Sequence, residues 1–270
     1  MSTFTLNDGS IVTKLQIDHW NKRLQYLTTP QEIIQWAILT FPNIFQITAF
    51  GLTGLATIDI ISKLTGDISQ EKDNKDIVPC VFIDTLHNFP QTLDLLAKIN
   101  TKYFIPKGTK INVFKPLGCE TEKEFDAKYG DMLCETDDLK YDFVAKVEPL
   151  QRAYKSLNIG AVFTGRRRSQ GGERKQLSFV ELDEETKILK INPFLLWSFE
   201  EVQNYIIENH IPYNELVDLG YKSIGDYHST QPVASGEDER SGRWKGQAKS
   251  ECGIHKSKEY TKFIQTTNVN

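Results

Sequence analysis

The chain has 270 residues, with 32 Lys and Arg against 36 Asp and Glu and a net charge of -4. That length suffices to bury roughly three-quarters of the surface an unfolded chain exposes, and 39% hydrophobic with 25% charged residues fits neither a disordered nor a membrane-embedded chain. The acidic balance argues against a general nucleic-acid binder; four cysteines without zinc-site spacing exclude a disulfide scaffold and read as thiols of a reducing compartment.

The opening residues, MSTFTLNDGS, lack the basic and apolar regions of a signal peptide. Residues 11–26 read as a helix, with Leu15, Ile17, Trp20, Leu24 and Leu27 at three- and four-residue steps. Thr29-Pro30-Gln31-Glu32 starts a second helix that stops before Pro42. The uncharged stretch 33–58 is too broken by Pro42, Gly51 and Gly54 to span a membrane, and the chain is expected to be soluble and cytoplasmic. Residues 44–50 form a β-rich run, Gly51-Leu52-Thr53-Gly54 a turn, and residues 55–64 a helix. The alternation repeats: a strand at 78–84, a helix at 90–100, a strand at 111–114 and a helix at 121–129. A helix over 141–157, bent at Pro149, leads to a strand at 159–164. Residues 176–182 and 187–191 read as strands around the turn 183–186, and Ser198 caps a helix through Asn209.

Strands alternating with helices predict an α/β fold with a doubly wound, mostly parallel sheet that takes ligands at the carboxyl ends of its strands. N-terminal helices (1–43) precede the nucleotide-binding α/β domain (44–230), and a mobile catalytic tail (231–270) follows it. Between residues 236 and 258 only Trp244, Ala248, Cys252 and Ile254 are apolar, among ten charged residues.

Four constellations carry chemistry. The Gly51–Gly54 turn lets a ligand approach backbone amides at a helix start, although no Walker sequence follows. Residues 166–175 hold five cations, Arg166, Arg167, Arg168, Arg174 and Lys175, at a strand's carboxyl end, which suits phosphate or sulfate. Asp84 ends a strand where a carboxylate can hold a ribose or an adenine edge, with His87 just beyond. Cys252 lies in a segment without a core, among Lys249, His255 and Lys256, whose charges would favour a thiolate. Cys119, just ahead of a helix, is the competing thiol, while Cys80 and Cys134 read as packing residues.

Glu251-Cys252-Gly253-Ile254-His255, with Asp238-Glu239-Arg240-Ser241-Gly242-Arg243-Trp244 before it, resembles the C-terminal signature of thioredoxin-dependent phosphoadenylyl-sulfate (PAPS) reductases. Residues 83–90, Lys146-Val147-Glu148-Pro149-Leu150, residues 164–170 and residues 218–230 match the same family, in wording nearest its fungal members. The resemblance implies an adenine-nucleotide α-hydrolase-like fold with Gly51–Gly54 at the pyrophosphate-loop position. It makes Cys252 the catalytic nucleophile with His255 beside it, and assigns substrate contacts to Gly51, Leu52, Thr53, Gly54, Asp84, Lys146, Arg167, Arg168, Arg174, Arg240 and Arg243. It also implies PAPS as substrate, thioredoxin as electron donor, a homodimer, and no nucleic-acid or membrane partner. Related reductases carry an iron–sulfur cluster on cysteines that would fall at Tyr141, Asp142, Asp226 and Ser229; none is a cysteine here, so no cofactor and no metal are expected. The alternatives are an adenylyl-sulfate reductase, an ATP-pyrophosphate-type adenylyltransferase, and a non-catalytic nucleotide-binding regulator on the same fold.

Overall fold

Two three-residue strands, β1 (Thr3–Thr5) and β2 (Ile11–Thr13), open the chain as an antiparallel hairpin, so the first helix begins later than its apolar spacing suggests. The Asp8 side chain accepts from the backbone and hydroxyl of Ser10 and sets the turn. Thr13, still extended, then caps α1 (Lys14–Leu24) in a capping box with Gln16. α2 (Pro30–Thr40) starts as expected, with Thr29 and Glu32 exchanging side-chain-to-backbone bonds. The computed structural model describes residues 2–66, 78–234, 236–246, 249, 251–256, 258–261 and 263; Ala248 and the end of the expected tail, 264–270, lie outside them.

The central sheet alternates with helices: β3 (Ile44–Ile47), α3 (Leu52–Gly66), β4 (Cys80–Ile83), α4 (Pro90–Ile99) and β5 (Asn112–Phe114). Three short helices follow, α5 (Glu122–Tyr129), α6 (Leu133–Thr136) and α7 (Asp138–Asp142). The single helix expected over 141–157 is divided: α7 runs into a π-helical stretch, Phe143–Val147, and then α8 (Glu148–Ser156). Pro149 explains the break, because it offers no N–H to the turn before it and its ring crowds the carbonyl four residues back. β6 (Ala161–Phe163) returns to the sheet, the hairpin β7 (Val180–Asp183) and β8 (Ile188–Ile191) completes it, and α9 (Phe199–Glu208) is capped by Ser198.

The strand order is β5-β4-β3-β6-β8-β7, parallel except for β7 on the edge. The doubly wound, mostly parallel sheet read from the alternation is therefore present. Phe82 and Phe163 are buried on one face with Leu55, Leu95 and Val202, while Val81 and Val162 pack on Leu150 and Tyr154 of α8 on the other. The chain winds outward from β3 through β4 to β5, then crosses back to lay β6 on the other side of β3. The two connections therefore part between β3 and β6, and a crevice opens at the carboxyl ends of those strands.

The turn after β3 is shorter than expected, since Leu52, Thr53 and Gly54 already belong to the first turn of α3. Thr48 accepts from the Phe50 N–H at 2.8 Å and packs directly beneath that turn. A Cβ on Gly54 would overlap Thr48 Oγ1, so only glycine lets α3 start this close to β3. Gly54→Ala is accordingly expected to cost about 1–3 kcal/mol of stability by overpacking, read as a lower urea midpoint with an unchanged slope; a midpoint equal to wild type would refute the close approach.

Candidate active site

The crevice is a cleft of about 260 Å³, lined on the β3 side by Thr48, Gly51, Leu52, Thr53 and Gly54 and on the β6 side by Thr164, Gly165, Arg166 and Arg167. First-turn amides of α3 give its floor a positive end without a charged side chain. Asp84 is buried but turned aside: its Oδ1 accepts from the Leu86 N–H at 3.0 Å and Asn88 Nδ2 at 3.1 Å, and its neighbours Thr85 and Asn88 face the cleft instead.

Arginines supply one wall, most of them already tied to a carboxylate or carbonyl. Arg167, 2% exposed, reaches Thr53 Oγ1 at 3.2 Å, the Trp197 carbonyl at 3.3 Å and both oxygens of Glu239 at 2.8 and 2.6 Å. Arg166 pairs with Glu181 at 2.7 Å. Arg174 forks onto Glu251 at 2.5 and 2.7 Å, and Arg240 meets the same carboxylate at 3.3 Å. Arg243 lies 4.4 Å above the Trp244 ring. Arg168, adjacent to Arg167, is exposed, donates to the Leu177 carbonyl at 2.9 Å and does not line the cleft. The arginine run thus divides between two faces: Arg166 and Arg167 line the cleft, and the chain turns at Arg168, which opens a short 3-10 segment and faces away.

Burial pushes Arg240 down to about 10 and also lowers Arg166 and Arg243. The buried Nε of Arg243 and Nδ1 of His255 bond to no described residue, and both side chains line the cleft. Burial first, and then the charges of Arg166, Arg174, Lys190 and Arg240, hold His255 well below the ordinary histidine value, so its imidazole is neutral. Those four cations converge on one imidazole in the cleft lining.

The tail folds back over this cleft. Trp244 and Tyr260 are buried, Phe263 stacks on Phe143 with ring centres 5.7 Å apart, and Cys252 caps a short turn, Gly253–His255, with its thiol half-buried in the cleft wall. Tyr260 and Phe263 lie beyond the window that looked core-poor in the sequence. A Cβ on Gly253 would come 2.7 Å from the Tyr260 hydroxyl, so this backbone passes against the aromatic ring only as glycine.

The cations around Cys252 are not those nearest in sequence. Lys249 is engaged by Asp138 and Asp142 at 2.7 Å each, and Lys256 by Glu259 at 3.3 Å. Burial pushes the Cys252 thiol up, Lys146 and Arg243 pull it back, Asp142 opposes them, and the Ile254 N–H reaches the sulfur; the balance stays above the ordinary thiol value. The competing thiol, Cys119, is 2% exposed and sits in the cluster around Phe125, with its own thiol raised by burial.

Lys146 is a buried ammonium between two buried carboxylates, Asp142 at 2.9 Å and Asp226 at 2.7 Å. Asp226 also accepts from Thr85 at 2.6 Å and Tyr141 at 3.1 Å. Burial alone would discharge all three, yet their mutual attraction prevails: Lys146 is raised well above its ordinary value and both carboxyls are lowered. Tyr141, Asp142, Asp226 and Ser229, the positions of cluster cysteines in related reductases, include three members of this one network. Their hydroxyl and carboxylate oxygens surround an ammonium and offer no sulfur, so these residues do not fit an iron–sulfur cluster.

Fold and site together define an α/β protein with a cation-lined cleft at the switch point of its sheet and a cysteine on a tail folded over it. Residues 43–232 match the phosphoadenosine phosphosulfate reductase domain. The phosphoadenosine phosphosulfate reductase of Saccharomyces cerevisiae is 60% identical over 266 residues, covering 98% of this chain and 99% of that one. The adenosine 5′-phosphosulfate reductase of Lysinibacillus sphaericus is 33% identical and covers 83% of this chain and 89% of that one. The crystal structure of the Candida auris PAPS reductase in a phosphate complex is 50% identical, with a TM-score of 0.70 over 82% of this chain and 98% of that chain. Candida glabrata FMN adenylyltransferase in complex with ATP shares the fold alone, at 14% identity and a TM-score of 0.55 over 94% of this chain and 85% of that one. The chain belongs to the phosphoadenosine phosphosulfate reductase family.

Glu239, Glu251, Trp244 and Tyr260 escaped the sequence-based site. The first three lie within the quoted signatures, but the two glutamates pair with arginines 72 and 77 residues away, which leaves no local pattern. With its thiol above the ordinary value, alkylation of Cys252 by iodoacetamide is expected to climb about tenfold per pH unit from about pH 6 to 9. A plateau below about pH 7 would contradict the placement of Cys252 in the cleft wall.

Proposed function

We propose that this enzyme reduces PAPS to sulfite and adenosine 3′,5′-bisphosphate in sulfate assimilation, with Cys252 as nucleophile. The carrying observation is a cysteine held beside Lys146 and Arg243 at the mouth of a cation-lined nucleotide crevice. In this reading Thr53, Gly54 and Arg167 receive the phosphate oxygens, and Arg174, Arg240 and Arg243 meet the remaining negative charge of the substrate. The sulfur of PAPS then lies in front of the thiol. The substrate's negative charge offsets the cations facing His255 and so opposes one of the two causes that keep its imidazole neutral. The Cys252 thiolate attacks sulfur, the bond from sulfur to the bridging phosphosulfate oxygen breaks, and adenosine 3′,5′-bisphosphate leaves with that electron pair. The cations stabilise the charge that develops on the departing oxygen.

Cys252 is left as S-sulfocysteine. A thioredoxin thiolate attacks its Sγ, sulfite departs with the bonding pair, and the second thioredoxin thiol resolves the mixed disulfide to return Cys252. Two electrons thus pass from the dithiol to sulfur. Thioredoxin as donor, a homodimer, a cytoplasmic setting, and a boundary near residue 230 between the nucleotide domain and a tail that opens for thioredoxin belong to the same reading. Among the described residues no helix is long and apolar enough to cross a membrane.

Sulfite formation from PAPS and from adenylyl sulfate, each with and without reduced thioredoxin, tests this proposal. PAPS with thioredoxin should be turned over and Cys252→Ser should abolish both sulfite and the sulfonate adduct seen by intact mass. Preference for adenylyl sulfate would favour the other substrate, pyrophosphate release from ATP would favour an adenylyltransferase, and nucleotide binding without turnover would favour a regulator. The arginine division gives a second check: Arg167→Ala should weaken adenosine 3′,5′-bisphosphate by about tenfold or more, whereas exposed Arg168→Ala should change it less than about threefold, by calorimetry. Equal losses in the two variants would remove Arg167 from the binding wall.

A further inference from the structure

We propose that Asp142 is the positioning residue that holds Cys252 over the cleft. Asp142 is fully buried at the end of α7, where the helix widens into the π-helical stretch. Its carboxylate accepts from four donors: Lys146 Nζ at 2.9 Å, Lys249 Nζ at 2.7 Å, the Gly253 N–H at 2.9 Å and the Tyr260 hydroxyl at 3.3 Å. Three of the four belong to the tail, on both sides of Cys252, and the fourth is the ammonium facing the same thiol. One domain carboxylate therefore gathers the backbone next to the nucleophile, two tail side chains and the lysine of the cleft.

Cys252 is suspended between two anchors of opposite sense. On one side Glu251 reaches from the tail to Arg174 of the domain, sharing its carboxylate with Arg240 of the tail itself; on the other, Asp142 reaches from the domain to the Gly253 N–H. The two have different fates when a multiply charged anion enters. Arg174 and Arg240 line the cleft, so the ligand competes with Glu251 for them. Asp142 is fully buried behind Lys146 and does not line the cleft, and an incoming anion has no attraction for it. Its anchor persists while the first loosens, and the sulfur is held at attacking distance by the Gly253 bond. This rests on the proposed role of Cys252, but the tail anchor can be measured without the reaction.

The experiment uses the full chain with Asp142→Asn, Asp142→Ala and Lys249→Met. In each, iodoacetamide should alkylate Cys252 faster without nucleotide, by about tenfold for the Asp142 variants and about threefold for Lys249→Met, because the tail opens more often. Loss of a negative charge could also activate the thiol in the Asp142 variants, but loss of the Lys249 cation cannot, so faster alkylation there reports opening. First-turnover transfer of the sulfonate to Cys252, followed by intact mass, should slow by about thirtyfold or more in Asp142→Ala, while the dissociation constant for adenosine 3′,5′-bisphosphate stays within about threefold. If the Asp142 variants do not fold, Lys249→Met, which alters only a tail side chain, decides by the same measurements. Unchanged alkylation in Lys249→Met, or parallel loss of nucleotide affinity and transfer in Asp142→Ala, overturns the proposal. If wild-type protein transfers no sulfonate, the functional reading fails while alkylation still judges the anchor.

Discussion

A buried ammonium between two buried carboxylates is the constraint around which the site is organised. Removing charges from water is costly, and a pair of this kind persists only where every remaining proton and lone pair finds a partner. Lys146 meets that demand with Asp142 and Asp226, and these draw in Tyr141, Thr85, Lys249, Tyr260 and the Gly253 N–H. The end of β4, the π-helical turn, the segment around residue 226 and the tail are thereby tied to one charged centre. Apolar packing alone could bring these four segments together, but it has no direction and could not set one backbone N–H against one carboxylate.

The same accounting explains how a wall of arginines is buried. Arg167 and Arg174 are both buried, and each would be expensive with its charge uncompensated. Glu239 and Glu251, carried by the tail, supply the compensation. The tail therefore does two jobs with one fold: it covers the cleft, and it lends carboxylates to the positions that an anionic ligand requires.

Local features of the chain were legible where a physical rule acts over a few residues. The capping box of α2, the buried run of β4, the interruption at Pro149 and the antiparallel hairpin at residues 180–191 all follow from short-range chemistry, and each is found near its expected position. The N-terminal hairpin was not legible, because its three-residue strands carry too few alternations to outweigh the helical spacing that begins nearby. Cys252 was legible as an unusual thiol but its electrostatic partners were not: Lys146 and Arg243 act on it, while the adjacent Lys249 and Lys256 are engaged elsewhere. Asp84 and Arg168 mark the same limit. Residue type and loop position suggested a ligand, and only the backbone direction reveals that one bonds its own turn and the other points outward.

The crossing from β5 back to β3 has a consequence for how the protein is made. β3 pairs with β6 across more than a hundred residues of chain, Ile44 opposite Ala161, so the crevice cannot exist until the ribosome has delivered β6. Cys252 lies later still, beyond every described strand of the sheet. A nascent chain can therefore own the β3 and β6 walls of the cleft before it owns Arg240, Arg243, Cys252 and His255, which complete the lining. Until residues 239 and 251 emerge, Arg167 and Arg174 lack the carboxylates that compensate their buried charge in the finished protein.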